Sequence, residues 1–595
     1  ALPILAIPLS GALLIGVLAI ILYVWIPTDP LIVVHERSKH WRSCQSDEIY
    51  DVAILGGGFA GTSLASMLRK GNKTVLLIDS NTHPRFALGE SIIPPSSKWL
   101  DLIGHHWDLP VLRGLFTPTI NRNMLSKSSG IKNNFGYVYH RPGEEQPSPK
   151  YAFTYNLQFE EAHMYRADTD AFLASYAMDL GTCASFGTKV QELKVETEEN
   201  VQIVLQNGQK YQARFLVDAA GFGSPLAKTI PNMRIPNAGN MKTTSRTLFT
   251  HLHGVIPYDL VLNSLNSSSY PIKRSYRFHE GTLHHVFDGG WMWVIPFDNG
   301  GGSQRAVSVG VNFDTSRWPD TPENQSPQEE WDAFLAQFPA VQAQFKHAQP
   351  LMPWIRTKRL QWTTYPEKLH GKQYALSMHA AMGIDALYSR GLYNALAINH
   401  MLALSLTAPS AERDKLLDLT GEHILQLGEL NDKIIYISYL SYRDPEMWLL
   451  AIKCWRSLSF VHAVPLVWLQ QQDAEGKDMV FSRRYLDILA EGGSIKTEVD
   501  EIIALMERSD ASYDMVYDRM KNSTVLCPHI VTNDLPGLTA HAIKTCIGWM
   551  RLEAHPELRS IANDINLFGT VMEALKTAWK SFNIPYFLAR HTQSI

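Results

Sequence analysis

The sequence predicts an α/β fold of the dinucleotide-binding kind, followed by a helical C-terminal region and preceded by one N-terminal transmembrane helix. Three observations predict it. A short apolar strand, Asp51 to Leu55, runs into Gly56-Gly57-Gly58-Phe59-Ala60-Gly61 and then into Thr62 to Lys70, which has helical character. From Glu412 onward long helices dominate, as in Leu416 to Tyr442, where Leu417, Ile424, Leu427, Leu430, Ile434 and Ile437 recur at helical spacing. From Ala1 to Thr28 no residue is charged and most are Ile, Leu, Val or Ala.

The 595 residues exceed the length over which one core keeps growing, so several domains are expected. We divide them into an anchor (1–28), a linker (29–48), a catalytic region (49–410) and a helical C-terminal domain (411–595). An apolar fraction of 45% against 19% charged describes a chain that buries large cores rather than a disordered one. With 54 Lys and Arg against 58 Asp and Glu, no global positive field recruits nucleic acid. The five cysteines (Cys44, Cys183, Cys454, Cys527 and Cys546) are scattered and never spaced C-x-x-C, which fits neither a disulfide framework nor a zinc site. No metal is expected.

The apolar run is long enough to span a bilayer, which takes about 20 helical residues. Leu9 to Ile26 nearly fills that length, with Tyr23 and Trp25 at the level of an interfacial belt. A cleaved signal peptide fits less well, because a basic n-region and a small-residue cleavage pattern before Asp29 are lacking. His35, Arg37, Lys39, His40 and Arg42 follow, and the positive-inside tendency places this flank, and the catalytic domain behind it, on the cytoplasmic side of a single-pass protein.

The glycine turn carries the first chemistry. Gly56 permits a tight turn, Gly58 lets backbone N–H groups approach a pyrophosphate, and Gly61 lets helix and strand pack closely, with Phe59 and Ala60 opening the helix. A second apolar strand, Thr74 to Ile78, ends in Asp79, whose carboxylate stands where it can accept hydrogen bonds from an adenosine ribose.

Later segments give the cofactor. Arg166-Ala167-Asp168-Thr169-Asp170-Ala171-Phe172-Leu173 resembles the R-x-x-x-D-x-x-L stretch of glutathione-reductase-type FAD monooxygenases, and Phe215 to Ser224, with Asp218, resembles their second nucleotide-proximal strand and turn. Gly290-Trp291-Met292-Trp293-Val294-Ile295-Pro296 contains W-x-W-x-I-P, and here the chain resembles the flavin-dependent halogenases. On a strand, Trp291, Trp293 and Ile295 share one face. In the family that wall is thought to separate flavin from substrate. Gly89-Glu90-Ser91 through Ser96 resembles the family's G-E-[AS]-x-x-P segment, and Gly383 to Leu392, with Asp385, resembles its loop against the isoalloxazine, where amides of Ser389, Arg390 and Gly391 bind halide. Roughly residues 45–400 carry the resemblance.

The resemblance implies a Rossmann-like FAD domain, a mixed β-sheet substrate domain woven through it, and electrophilic halogenation of an electron-rich, lipophilic or aromatic substrate with FADH2 and O2. It also implies a catalytic lysine, and Lys132, 42 residues after Glu90, is the candidate. Burial would depress its pKa toward handling hypohalous acid or forming a haloamine. Family members often place Lys where Asn134 stands, two residues before Gly136, so Lys132 sits two positions further back. At Met378-His379-Ala380-Ala381 many wider relatives have G-D-A-A, and His379 cannot supply that carboxylate. One dinucleotide fingerprint implies that a partner reductase supplies reduced flavin. Two other readings stay open: a monooxygenase or prenyl reductase on the same scaffold with no halide step, and a non-enzymatic flavin-bearing membrane scaffold. Trp448, Trp455 and Trp468 read as helical core or as the wall of an aromatic pocket.

Overall fold

The computed structural model describes residues 41–239, 241–264, 276–300, 306–319, 324–456 and 493–523. The apolar run at 1–28 and Trp468 lie outside the described residues, and among these no helix is long and apolar enough to cross a membrane.

Two β-sheets organise the chain. The first orders its strands Cys183–Phe186, Val75–Asp79, Ile49–Leu55, Lys210–Asp218, Val201–Leu205 and Val190–Lys194, with Tyr374–Leu376 also paired to Lys210–Asp218. Its centre is parallel, with Ile49–Leu55 between Val75–Asp79 and Lys210–Asp218, and the first two strands and the carboxyl half of the third are almost wholly buried, as a sheet covered on both faces requires. The helix after the glycine turn is Phe59–Lys70, three residues earlier than the apolar pattern alone suggests, because the turn closes at Gly58.

The second sheet is mixed and has eight strands, running from Gln349–Pro350 through Ser245–His253, Val307–Asp314, Gly290–Pro296, Thr282–Phe287 and Gly130–Tyr139 to Ala152–His163, with Ile355–Thr357 against Ser245–His253. Its two faces belong to different cores. Trp291, Trp293 and Ile295 pack into the large core shared with the first sheet, while Met292 and Val294 pack into a second core with Trp331, Phe334 and Phe338. The alternation expected of a strand thus divides Gly290–Pro296 between two interiors.

The C-terminal helices begin with Gly391–Thr407 and Ser410–Ser441, the latter six residues earlier than the Leu416 start read from periodicity. Leu417, Ile424, Leu427, Ile434 and Ile437 are buried in the same core as the first sheet. Trp448 and Trp455 join that core too, against Tyr137 and Phe153 in one case and Phe135 and Tyr388 in the other.

Candidate active site

A cleft of about 770 Å³ opens at the carboxyl ends of Ile49–Leu55 and Val75–Asp79, lined by Gly56, Gly58, Phe59, Ala60, Asp79, Arg166, His379 and Gly391 among others. Such crevices are where parallel sheets hold nucleotides. Gly56 has φ +104°, and a Cβ there would lie 2.7 Å from the carbonyl oxygen of Ala219. At Gly61 a Cβ would meet the Gly56 carbonyl oxygen at 1.8 Å, so helix and strand touch only because the residue is glycine. Gly58 faces the cleft, and its nearest neighbour for an added Cβ is the Nη2 end of Arg85 at 2.9 Å, which leaves the phosphate side of the turn open.

Asp79 accepts from the amides of Gly57 (2.7 Å) and Asn81 (2.8 Å) while bordering the cleft. Arg85 approaches the same carboxylate at 3.3 Å. Arg166 is held by two bonds to Asp170 at 2.7 and 2.9 Å and donates to the carbonyls of Leu88 and Gly89, so it clamps the Gly89 turn against the cleft. Asp218 is spent on its own turn, accepting from Ala220 N, Ser224 Oγ and Leu226 N. His379 lines the cleft and donates from Nε2 to the Gly391 carbonyl at 2.9 Å.

Glu90 and Ser91 lead away from the cleft to the second sheet. Glu90 is paired with His251 at 2.7 Å. Ser91 Oγ lies 2.7 Å from Lys132 Nζ, which also donates to the Ile92 carbonyl at 2.9 Å and sits 3.8 Å over the Phe135 ring. Lys132 is completely buried, and that burial holds its amine well below the ordinary lysine range. Glu161 stands opposite it in the Gly130–Tyr139/Ala152–His163 ladder, bonded by Ser97 Oγ, and burial raises its carboxyl to about 8. From Lys132 a run of rings leads through Phe135 and His284 to Trp291, with centroids 5.9 Å and then 5.6 Å apart.

Trp291 and Trp293 lie 5.8 Å apart on the same face. Trp291 Nε1 donates to Asp385 at 3.2 Å, and Asp385 also accepts from Ser245 Oγ (2.5 Å), Tyr439 OH (2.8 Å) and Leu387 N (3.0 Å). Asp385 therefore fastens the tryptophan strand to the 383–392 loop, with its carboxylate off the cleft. In that loop Tyr388 and Ser389 have φ of +69° and +57°, a tight left-handed bend. The Ser389 amide is engaged by Ala386 O at 3.1 Å, the Arg390 guanidinium lies over the Tyr393 ring at 4.7 Å, and Gly391 begins the helix whose N-terminus meets the cleft.

The sequence-predicted residues thus fall into two groups: the glycine turn, Asp79, Arg166 and Gly391 around the cleft, and Lys132, Trp291 and Trp293 behind it. Glu90, Ser91, Asp385 and Arg390 lie between the groups. Sequence reasoning missed Glu161, and also Thr282, whose Oγ1 lies 3.0 Å from Ser91 Oγ, and His163, whose Nε2 lies 3.0 Å from Thr282 Oγ1. The alternation of Ala152–His163 puts Glu161 and His163 on one face, but only pairing with Gly130–Tyr139 shows which face meets Lys132.

A cleft at the carboxyl ends of a parallel sheet, entered by a glycine turn and a helix N-terminus, is the site of a dinucleotide-dependent oxidoreductase, and here the Gly89–Ser91 segment joins its wall to a sealed lysine. No family model matches the chain. Over 412 residues, 67% of this chain and 69% of the relative, it is 36% identical to monodechloroaminopyrrolnitrin halogenase PrnC of Pseudomonas fluorescens. Over 538 residues, 87% of this chain and 95% of the relative, it is 31% identical to tetracycline 7-halogenase of Kitasatospora aureofaciens. A solved structure of a point mutant of the halogenase PltM in complex with FAD superposes with TM-score 0.74 at 26% identity, covering 83% of this chain and 99% of that one. The chain belongs to the flavin-dependent halogenases.

Proposed function

We propose that the chain is an FADH2- and O2-dependent halogenase that installs halogen on an electron-rich aromatic or lipophilic substrate. The observation that carries this reading is Lys132, completely buried, bonded to Ser91 and joined through Gly89 to the cleft wall. The residues present fit FAD: Gly58 leaves open a cradle that a side chain would fill, the Phe59–Lys70 helix points its N-terminus into the cleft, and Asp79 borders it. When bound, reduced flavin with O2 supplies the oxidising equivalents that make halide electrophilic. Gly391 and its helix N-terminus favour an anion at the cleft's inner end, where halide would wait. The indoles of Trp291 and Trp293 keep water and substrate from the nucleotide side, and Lys132 hands the electrophile on.

A separate reductase supplies reduced flavin. Residues 1–28 serve as a membrane anchor with the catalytic domain on the cytoplasmic side; deletion of residues 1–30 should move the flavoprotein to the soluble fraction. The function itself is tested by product analysis with reduced FAD, O2 and phloroglucinol, the compound bound in a PltM structure of TM-score 0.73. Halogenated product that needs chloride or bromide supports the reading. Oxygenated product formed equally without halide overturns it.

A further inference from the structure

We propose that Ser91, Thr282 and His163 form a proton relay that moves a proton between Lys132 and the His163 imidazole. The inference rests on the reading of Lys132 as the residue that handles halogen. Four bonds make the path: Lys132 Nζ to Ser91 Oγ (2.7 Å), Ser91 Oγ to Thr282 Oγ1 (3.0 Å), Thr282 Oγ1 to His163 Nε2 (3.0 Å), and His163 Nδ1 to the Pro296 carbonyl (3.1 Å). All four side chains are buried.

The last bond fixes the direction of the others. A carbonyl only accepts, so His163 Nδ1 carries hydrogen and, in the neutral ring, Nε2 is a lone pair. Thr282 must then donate to His163, its oxygen accepts from Ser91, and Ser91 accepts from Lys132. If His163 becomes imidazolium, every hydroxyl reverses: Nε2 donates to Thr282, Thr282 to Ser91, and Ser91 to a neutral Lys132 amine. Both arrangements use the same heavy-atom positions. Three short proton shifts interconvert them without moving a side chain.

Halogen chemistry at the lysine needs this exchange. Lysine ammonium gives a proton through the relay to His163, leaving an amine and an imidazolium. The amine nitrogen bonds the halogen of hypohalous acid, the halogen–oxygen bond breaks, and one N–H proton leaves with hydroxide as water, giving a haloamine. When the halogen passes to an aromatic carbon, that carbon's proton and the proton stored on His163 both return to nitrogen, restoring the ammonium. The sum is hypohalous acid plus arene giving haloarene plus water. Burial pushes both the Lys132 amine and the His163 imidazole down, so neither site holds the shared proton tightly. The other titratable groups facing this pair are Glu161 across the ladder, Lys98 beside Glu161, His284, and His279 with its partner Asp298.

The test uses the full chain without flavin, given stoichiometric hypochlorous acid. Haloamine on Lys132 is the oxidising halogen retained by the wild type beyond that retained by Lys132→Ala, read with a thiol dye across pH 6 to 9, about the span in which a shared proton is exchanged with water. Wild type should form it at a rate nearly independent of pH. Thr282→Val, which removes the middle hydroxyl and keeps the shape, should form it about a hundredfold more slowly at neutral pH and gain a rising dependence on pH, as the proton must leave through water. Thr282→Ser should restore the wild-type profile, which a purely structural role for the threonine methyl would not. Equal rates and profiles in the Val variant and the wild type, or failure of the Ser variant to restore them, overturn the relay. Equal halogen uptake by wild type and Lys132→Ala overturns instead the lysine reading on which it rests.

Discussion

Trp293 stands directly across the ladder from Gly310, and the missing side chain of that glycine is the space its indole fills. A Cβ at position 310 would come within 2.1 Å of the ring. The other edge of the indole is fixed by its bond to Ser308 Oγ at 3.1 Å, so the ring has no easy retreat. Gly310→Ala should lower stability by roughly 1–3 kcal/mol through overpacking and shift tryptophan fluorescence. A thermal melt indistinguishable from wild type would show that the wall is looser than this packing requires.

Gly58→Val should abolish flavin binding. The added branches would occupy the space facing the cleft, where the flexible end of Arg85 stands nearest and Asp170 and Arg166 lie just beyond it. Flavin absorbance of the purified variant measures it, and full retention would place the pyrophosphate elsewhere.

Glu161 should make the protein less stable as pH rises. Its carboxyl titrates at about 4.3 in the unfolded chain but is raised to about 8 in the fold, chiefly by burial. The folded state therefore holds an extra proton between those values, and this stabilisation is fully present below the lower value and lost as pH climbs through the upper one. Glu161→Gln, neutral at every pH, should flatten the fall of the melting temperature between about pH 4.5 and 8. An unchanged slope would mean that the buried carboxyl is ionised throughout.

Lys132→Ala should reduce halogenated product at least about a hundredfold while leaving flavin binding and peroxide release from reduced flavin intact. The reason is positional: the amine is bonded to Ser91 and Ile92, whereas the cleft is built by the glycine turn, Asp79 and Arg166. Equal halogenation by the variant would turn attention to Lys98, another buried lysine whose amine is pushed down by desolvation.

The nucleotide cleft was legible because its parts are contiguous in the chain and each obeys a local rule: glycine where the backbone must turn or touch, an acid at the end of the next strand. The split of Trp291 and Trp293 from Met292 and Val294 was legible for the same reason, as strand alternation needs no knowledge of partners. Lys132 could be reached only through family resemblance, since nothing local distinguishes a lysine sealed in a sheet from one on a surface. Its neighbours show why. Ser91, Glu161, His163 and Thr282 come from three separate segments, and they gather around one amine only through the parallel pairing of Thr282–Phe287 with Gly130–Tyr139, the antiparallel pairing of the latter with Ala152–His163, and the bridge of Ser91 to His163. Asp385 was expected at the flavin, yet its four donors tie it to Trp291, Ser245, Leu387 and Tyr439, a role that depends on contacts 54 to 140 positions away as well as on its own loop.

The strand Gly290–Pro296 belongs to two interiors at once, and this separates two kinds of evolutionary freedom. Changes at Met292 or Val294 are paid in folding stability, within a core that meets neither the cleft nor the lysine. Changes at Trp291 or Trp293 fall instead on the large core shared with the first sheet, beside the loop that Asp385 fastens, and leave that second core intact. Variation at the odd-numbered positions of this strand is therefore felt in one interior and variation at the even-numbered ones in the other, and libraries that randomise the segment should vary one parity at a time.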